Sequence, residues 1–231
     1  MMEFIKKENI DILSESRYTD VYVDIPNNVV YKYFNAKTRF DREIYFMNLI
    51  DKNDNLKNTN NFIKYKKYDK EKKMIILPYI KYNLEKLIRK IEIIENNNKI
   101  DKNKLIKKII NCMKQLHKNN IIHNDFRLKN IQMDENFNLI MIDFENSKEI
   151  NKLKLEEKNK LLKQELNLLK FIIIQIVYNV NYKDAERFYK KENFYLNKFN
   201  NDYPQLKDLF KLNQYNLDNL HNFFQNNILI K

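Results

Sequence analysis

Ile121-Ile122-His123-Asn124-Asp125-Phe126-Arg127-Leu128-Lys129-Asn130-Ile131, followed by Leu139-Ile140-Met141-Ile142-Asp143-Phe144-Glu145, is the stretch on which the reading of this chain turns. An aspartate is followed five residues later by an asparagine, and a second aspartate closes an apolar run thirteen residues after that. Such a set supplies one base and two oxygen ligands for a hard cation. Mg²⁺ takes few protein ligands and keeps positions for water and phosphate oxygens, so one Asn and one Asp suffice. Taken singly, each is an ordinary loop or strand-end residue; the joint offset points to chemistry. His123 reads as a histidine that packs the loop.

Working outward, the apolar runs Asn130 to Met133 and Leu139 to Phe144, separated by a polar turn, predict a small hairpin. Before them, Leu105, Ile109, Cys112, Met113 and Leu116 recur at helical spacing, and Leu84, Leu87, Ile88 and Ile91 mark an earlier helix. The polar stretch Ile94 to Lys104 reads as a loop. After Leu153 the period is helical, with Leu161, Glu165, Leu168, Leu169, Ile172 and Ile176 on one face. The first third is different: strands at Asp11 to Ser14, Asp20 to Asp24 and Val29 to Phe34, then a helix over Arg39 to Ile50 that opens on a capping-box-like Thr38 and Asp41. A loop over Asp51 to Asn61 leads to a hairpin of Phe62 to Tyr68 and Met74 to Ile80.

Composition narrows the classes. The chain has 231 residues with 15 Tyr and 15 Phe, enough apolar surface for a real core. One cysteine, Cys112, excludes an internal disulfide framework and a Cys-rich zinc site, and its helical spacing makes it a core residue. No apolar run reaches the roughly 18 residues a membrane span needs, and MMEFIKKENI lacks a signal-peptide core, so a soluble, cytoplasmic protein is expected. The net charge of +12 is spread along a Lys-, Asn- and Ile-rich chain. Nucleic acid is therefore an unlikely partner, and binding that falls steeply with salt would be its signature. There is no glycine at all. Rossmann and Walker A phosphate loops are thereby excluded, and turns needing positive φ must use Asn or Asp. The aromatic run from Phe188 to Phe224 reads as packing within a helical lobe.

The segment around Asp125 and Asp143 resembles the protein-kinase-like superfamily, whose catalytic loop is H-R-D-L-x-x-x-N and whose metal motif is D-F-G. Val29-Val30-Tyr31-Lys32 resembles the strand-three lysine motif, Glu43 lies on the following helix where the family places the lysine's partner, and Leu77-Pro78-Tyr79-Ile80 resembles the hinge. The resemblance implies a two-lobed α+β fold, with a β-rich lobe over 1–80 and a mainly helical lobe over 81–231 making one kinase-like domain. It implies ATP and Mg²⁺ as cofactors and a hydroxyl-bearing acceptor as partner. By it, Asp125 would take or orient the acceptor proton, Asn130 and Asp143 would hold Mg²⁺, and Lys32, set by Glu43, would grip the phosphates. Arg127 would neutralise the transferring group, Ser16 would meet phosphate, and Tyr79 and Ile80 would line the nucleotide site. Glu165 stands where related kinases brace the catalytic loop.

The departures are informative. Leu13 to Asp20 replaces the glycine-rich loop without a glycine, Asn124 replaces the Arg of H-R-D, and Glu145 replaces the Gly of D-F-G, as in choline-kinase-like and aminoglycoside-phosphotransferase-like relatives. No A-P-E motif follows. A protein Ser/Thr kinase is the leading expectation, with a small-molecule kinase of choline, aminoglycoside or sugar/lipopolysaccharide-core type as the alternative. A pseudokinase binding module is the third reading.

Overall fold

Alternating apolar residues in three short N-terminal runs, joined by tight polar turns, favour an antiparallel meander, since each strand then needs only a hairpin to reach the next. The computed structural model describes residues 10–94 and 101–190 and has this meander. Strands β1 (Ile10–Glu15), β2 (Thr19–Asp24), β3 (Val29–Phe34), β4 (Lys67–Asp69) and β5 (Met74–Pro78) form one antiparallel sheet in the order β1-β2-β3-β5-β4. The central strand β3 pairs Lys32 with Val21 on one side and Ile75 on the other.

Helix α1 (Lys37–Lys52) follows β3 and buries Phe40, Glu43, Ile44, Phe46, Met47 and Ile50. Its N-cap is Ala36, not Thr38: the Ala36 carbonyl accepts the amides of Arg39 and Phe40, and no side chain caps the end. The expected capping box is therefore absent, because the helix starts two residues earlier. Within the stretch read as a loop, α2 (Asp54–Lys57) forms a single turn, capped by Asn53 accepting from the Asn55 amide at 2.9 Å. The strand expected over Phe62 to Tyr68 is shorter. Only β4 joins the sheet, while the backbone at 61–63 bonds Met141 instead, through Met141 N to Asn61 O at 2.8 Å and Ile63 N to Met141 O at 2.9 Å.

The remaining elements are β6 (Tyr82–Asn83), α3 (Leu84–Ile94), α4 (Lys102–Lys118), β7 (Ile121–Ile122), β8 (Ile131–Met133), β9 (Leu139–Met141), β10 (Lys148–Glu149), α5 (Leu155–Tyr178) and α6 (Tyr182–Lys190). The fold is α+β and kinase-like, with an antiparallel sheet first and helices after it. Two compact units emerge. One draws its described residues from Met1–Lys81 and Gln132–Ser147, the other from Tyr82–Ile131 and Lys148–Lys231. Sequence order alone assigns Gln132–Ser147 to the C-terminal part; its backbone bonds to 61–63 put it with the sheet.

In the helical unit, α4 buries Leu105, Ile106, Ile109, Ile110, Cys112, Met113 and Leu116. Burial pushes the Cys112 thiol up to about 12, so it is an unreactive core group. Helix α5 is amphipathic at first and buried nearly all round from Leu169 to Val177, although Leu168 stays half-buried. Among the described residues no helix is long and apolar enough to cross a membrane. From 191 on, the aromatic run 188–224 lies outside the described residues.

Without glycine, left-handed backbone falls to other residues. Eight described residues have positive φ: Asn28, Asn60, Asn120, Asn124, Asn179 and Asp143 as expected for short polar side chains, and also Lys73 and Phe137. Two of them, Asn124 and Asp143, sit inside the segments that resemble the kinase motifs.

Candidate functional site

In the sheet-bearing unit, the pleat of β3 places Lys32 and Phe34 on the same face. Phe34 meets Phe40 of α1 edge-on at 5.8 Å, so this is the face that α1 covers. Lys32 is 7% exposed and lies 3.4 Å from Glu43 and 2.7 Å from Asp143 Oδ1, with its Nζ 4.9 Å above the Phe34 ring. Glu43 is fully buried on the apolar stripe of α1. Asp143 follows β9 at φ 70°, a conformation that turns the chain sharply after the strand, and its side chain is 23% exposed. Phe144 is buried against Phe62 at 6.4 Å. Glu145 is buried too and pairs with Arg39 at 2.6 Å, while Arg42 donates to its carbonyl at 3.2 Å.

Three carboxylates, of Glu43, Asp143 and Glu145, thus lie close to three cations, Lys32, Arg39 and Arg42. Burial by itself would lower the Lys32 pKa, but Glu43, Asp143 and Glu145 outweigh it and the ammonium is held firmly protonated. Glu43 is pushed up to about 7, mainly by burial and further by Asp143 and Glu145, against the pull of Lys32. Of the pair, Glu43 is the group that changes charge. Its Oε1 is buried with no hydrogen-bond donor, and at 3.4 Å its Oε2 has an ion-pair contact longer than the Lys32–Asp143 hydrogen bond. Lys32 therefore hydrogen-bonds Asp143 while Glu43, at longer range, is the stronger of the two in holding its charge.

The helical unit carries the second group. Asp125 is approached by Arg127 Nε at 2.5 Å and by Lys129 Nζ at 3.6 Å. Asn130 donates Nδ2 to the Asp125 carbonyl at 2.8 Å and to Oδ2 at 2.9 Å. With its nitrogen so engaged, the oxygen is the atom that Asn130 can offer to a cation. The guanidinium of Arg127 lies 5.9 Å from the Tyr182 ring. His123 is fully buried, accepts the Asp125 amide at 3.3 Å and stands edge-on to Phe126, in keeping with a packing role.

Asn124 adopts φ 60° and donates its amide to Glu165 Oε1 at 2.6 Å. The other oxygen of Glu165, itself 1% exposed, lies 2.5 Å from His117 Nε2. Glu165 on α5 and His117 on α4 thus brace the turn before Asp125. His117 reads in the sequence only as a helix end. Its partner lies 48 residues away, so no local signal marks it.

Ser16 sits in the β1–β2 turn, where its hydroxyl accepts the amides of Tyr18 and Thr19. Tyr79 and Ile80 follow β5 and are half-buried, and the Tyr79 amide donates to Asn28 O at 3.2 Å. Arg39, Arg42 and Tyr18 were not singled out by motif; the signal available was that Arg39 precedes Glu43 by one helical turn and shares its face.

The model of the Lipopolysaccharide kinase (Kdo/WaaP) family matches residues 30–191, which takes in β3 through α6 and with them Lys32, Glu43, Asp125, Asn130 and Asp143. No curated protein matches the chain. The family match favours the sugar/lipopolysaccharide-core alternative over the protein Ser/Thr kinase that the sequence puts first.

Proposed function

The chain belongs to the lipopolysaccharide kinase (Kdo/WaaP) family, and from that premise we propose that it moves the γ-phosphoryl group of ATP to a hydroxyl of a lipopolysaccharide-type saccharide. The observation that carries this reading is the Lys32–Glu43–Asp143 cluster, a buried ammonium hydrogen-bonded to Asp143 at 2.7 Å and ion-paired with the buried Glu43 at 3.4 Å. A charge arranged this way is ready to be handed from one partner to another.

The donors fit the cofactors. Asp143 and the Asn130 oxygen are hard ligands suited to Mg²⁺, and Asp143 keeps part of its surface exposed. Among the described residues no three His, Cys, Asp or Glu side chains gather as metal ligands, so phosphate oxygens and water would complete the shell. Bound Mg²⁺ neutralises phosphate charge as a Lewis acid. With Asp143 engaged by the cation, Lys32 would turn toward Glu43, whose carboxylate oxygens have no hydrogen-bond donor, and would grip the α- and β-phosphates. Asp125 orients the saccharide hydroxyl and takes its proton as the new P–O bond forms and the bond to the β-phosphate oxygen breaks, leaving ADP. Arg127 moves from Asp125 toward the transferring group. Tyr79 and Ile80 contact the base, and Ser16 keeps the turn near the phosphates in shape.

Calorimetric titration of ATP with and without Mg²⁺, followed by γ-phosphate transfer assays, tests the reading. Mg²⁺-dependent binding that weakens at least tenfold in Asp143→Asn, with label appearing on lipopolysaccharide-core saccharides, is the expected result. Label confined to protein restores the protein-kinase reading, and no binding at millimolar ATP sustains the pseudokinase.

A further inference from the structure

The tip of the β1–β2 hairpin is Ser16-Arg17-Tyr18, and its polar backbone is already occupied. The Ser16 amide donates to Thr19 O at 3.0 Å, while Ser16 Oγ accepts the Tyr18 and Thr19 amides at 3.1 and 2.9 Å. The carbonyls of Arg17 and Tyr18 accept from Asn35 Nδ2 at 3.1 Å and Asn35 N at 2.9 Å. A glycine-rich tip works by offering free amides at close range; this one has spent most of them and carries side chains besides.

A side chain holds it instead. The Arg39 guanidinium lies on the Tyr18 ring with Cζ 3.8 Å from the centroid, closer than Arg17 at 5.8 Å. The same guanidinium reaches Glu145 Oε1 at 2.6 Å, two residues past Asp143. One planar cation in the first turn of α1 therefore joins the hairpin tip to the segment that carries Asp143, all within the sheet-bearing unit. Stacking on a ring with one face while donating in-plane to a carboxylate suits a guanidinium and not an ammonium.

We propose that Arg39 is a positioning residue for phosphoryl transfer: stacked on Tyr18 and paired with Glu145, it straps the glycine-free hairpin in its nucleotide-binding geometry. The strap rests on the nucleotide reading above and deepens it. It couples nucleotide affinity to Glu145, the residue that stands in the place of a glycine.

The test uses the full chain and two readouts, hydrogen exchange of the Tyr18–Thr19 amides without nucleotide, and KM for ATP against kcat with Mg²⁺. Arg39→Ala and Tyr18→Leu should each speed tip exchange about tenfold and raise KM about tenfold, with kcat within twofold. The double variant should cost no more than either single one, and Tyr18→Phe, which keeps the ring, should behave as wild type. Arg39→Lys should recover little. Tyr18 is 44% exposed, so Tyr18→Leu carries the test even where Arg39→Ala folds poorly. Unchanged tip exchange, or additive effects in the double variant, overturns the strap. Wild type that binds Mg²⁺–ATP alongside Tyr18→Leu with unaltered KM overturns the proposal alone, whereas wild type that binds no nucleotide overturns the underlying reading and the proposal with it.

Discussion

Glu43 is an unusual residue to find on the apolar stripe of a helix. It is fully buried, and its pKa of about 7 lies above the ordinary carboxylate value because burial penalises its charged form. The folded state then holds a proton that the unfolded chain has already released between about pH 4.5 and 7. Stability falls as pH rises through that window and is level on either side of it, as far as this group is concerned. Glu43→Gln removes the titration. Denaturant midpoints measured from pH 4 to 8 should fall less steeply across the window in Glu43→Gln than in wild type, and parallel curves would reject the assignment.

Helix α5 shows how a chain without glycine ends its elements. Its C-cap, Asn179, takes the left-handed conformation at φ 53°, where glycine is the usual choice. The Asn179 side-chain oxygen is buried without a donor. Asn179→Gly should leave stability unchanged or raise it by a few tenths of a kcal/mol, and Asn179→Ala should cost about 1 kcal/mol, read from urea melts. The same helix supplies Glu165, which accepts the Asn124 amide at another left-handed residue. Glu165→Ala removes the buried carboxylate that the Asn124 amide and the His117 ring share. A loss of about 2–3 kcal/mol and a lower kcat at saturating ATP are expected, checked by melts and steady-state kinetics.

At the level of the whole molecule, ligand binding is read as stability. A ligand that binds only the folded state at a hundred times its dissociation constant stabilises by about 2.7 kcal/mol. For a chain of this size each kcal/mol raises Tm by about 2–4 °C, so Mg²⁺–ATP should lift Tm by about 5–10 °C. Lys32→Met and Asp143→Asn should abolish most of that shift. A comparable shift with ATP alone would remove Mg²⁺ from the scheme. The net charge of +12 adds a salt-sensitive attraction to any anionic ligand, so the comparison belongs at fixed ionic strength.

Local pattern was enough for the strand-to-helix order, the Cys112 core position, and the use of Asn and Asp where glycine is missing, because periodicity and turn chemistry act over a few residues. Asp125, Asn130 and Asp143, with Lys32 and Glu43 upstream, were singled out because the short motifs around them resemble those of the kinase-like superfamily in kind and order. Other features depended on residues far apart in the chain. The bonding of 61–63 to Met141, the Glu165–His117 brace, and the Tyr18–Arg39–Glu145 contacts join residues 21 to 106 positions apart. The preference of Lys32 for Asp143 over Glu43 is likewise a matter of burial and tenths of an ångström. The sequence determined which charges the chain carries and roughly where along it they stand; only tertiary packing decided which of them meet, since that choice rests on desolvation and distance in three dimensions.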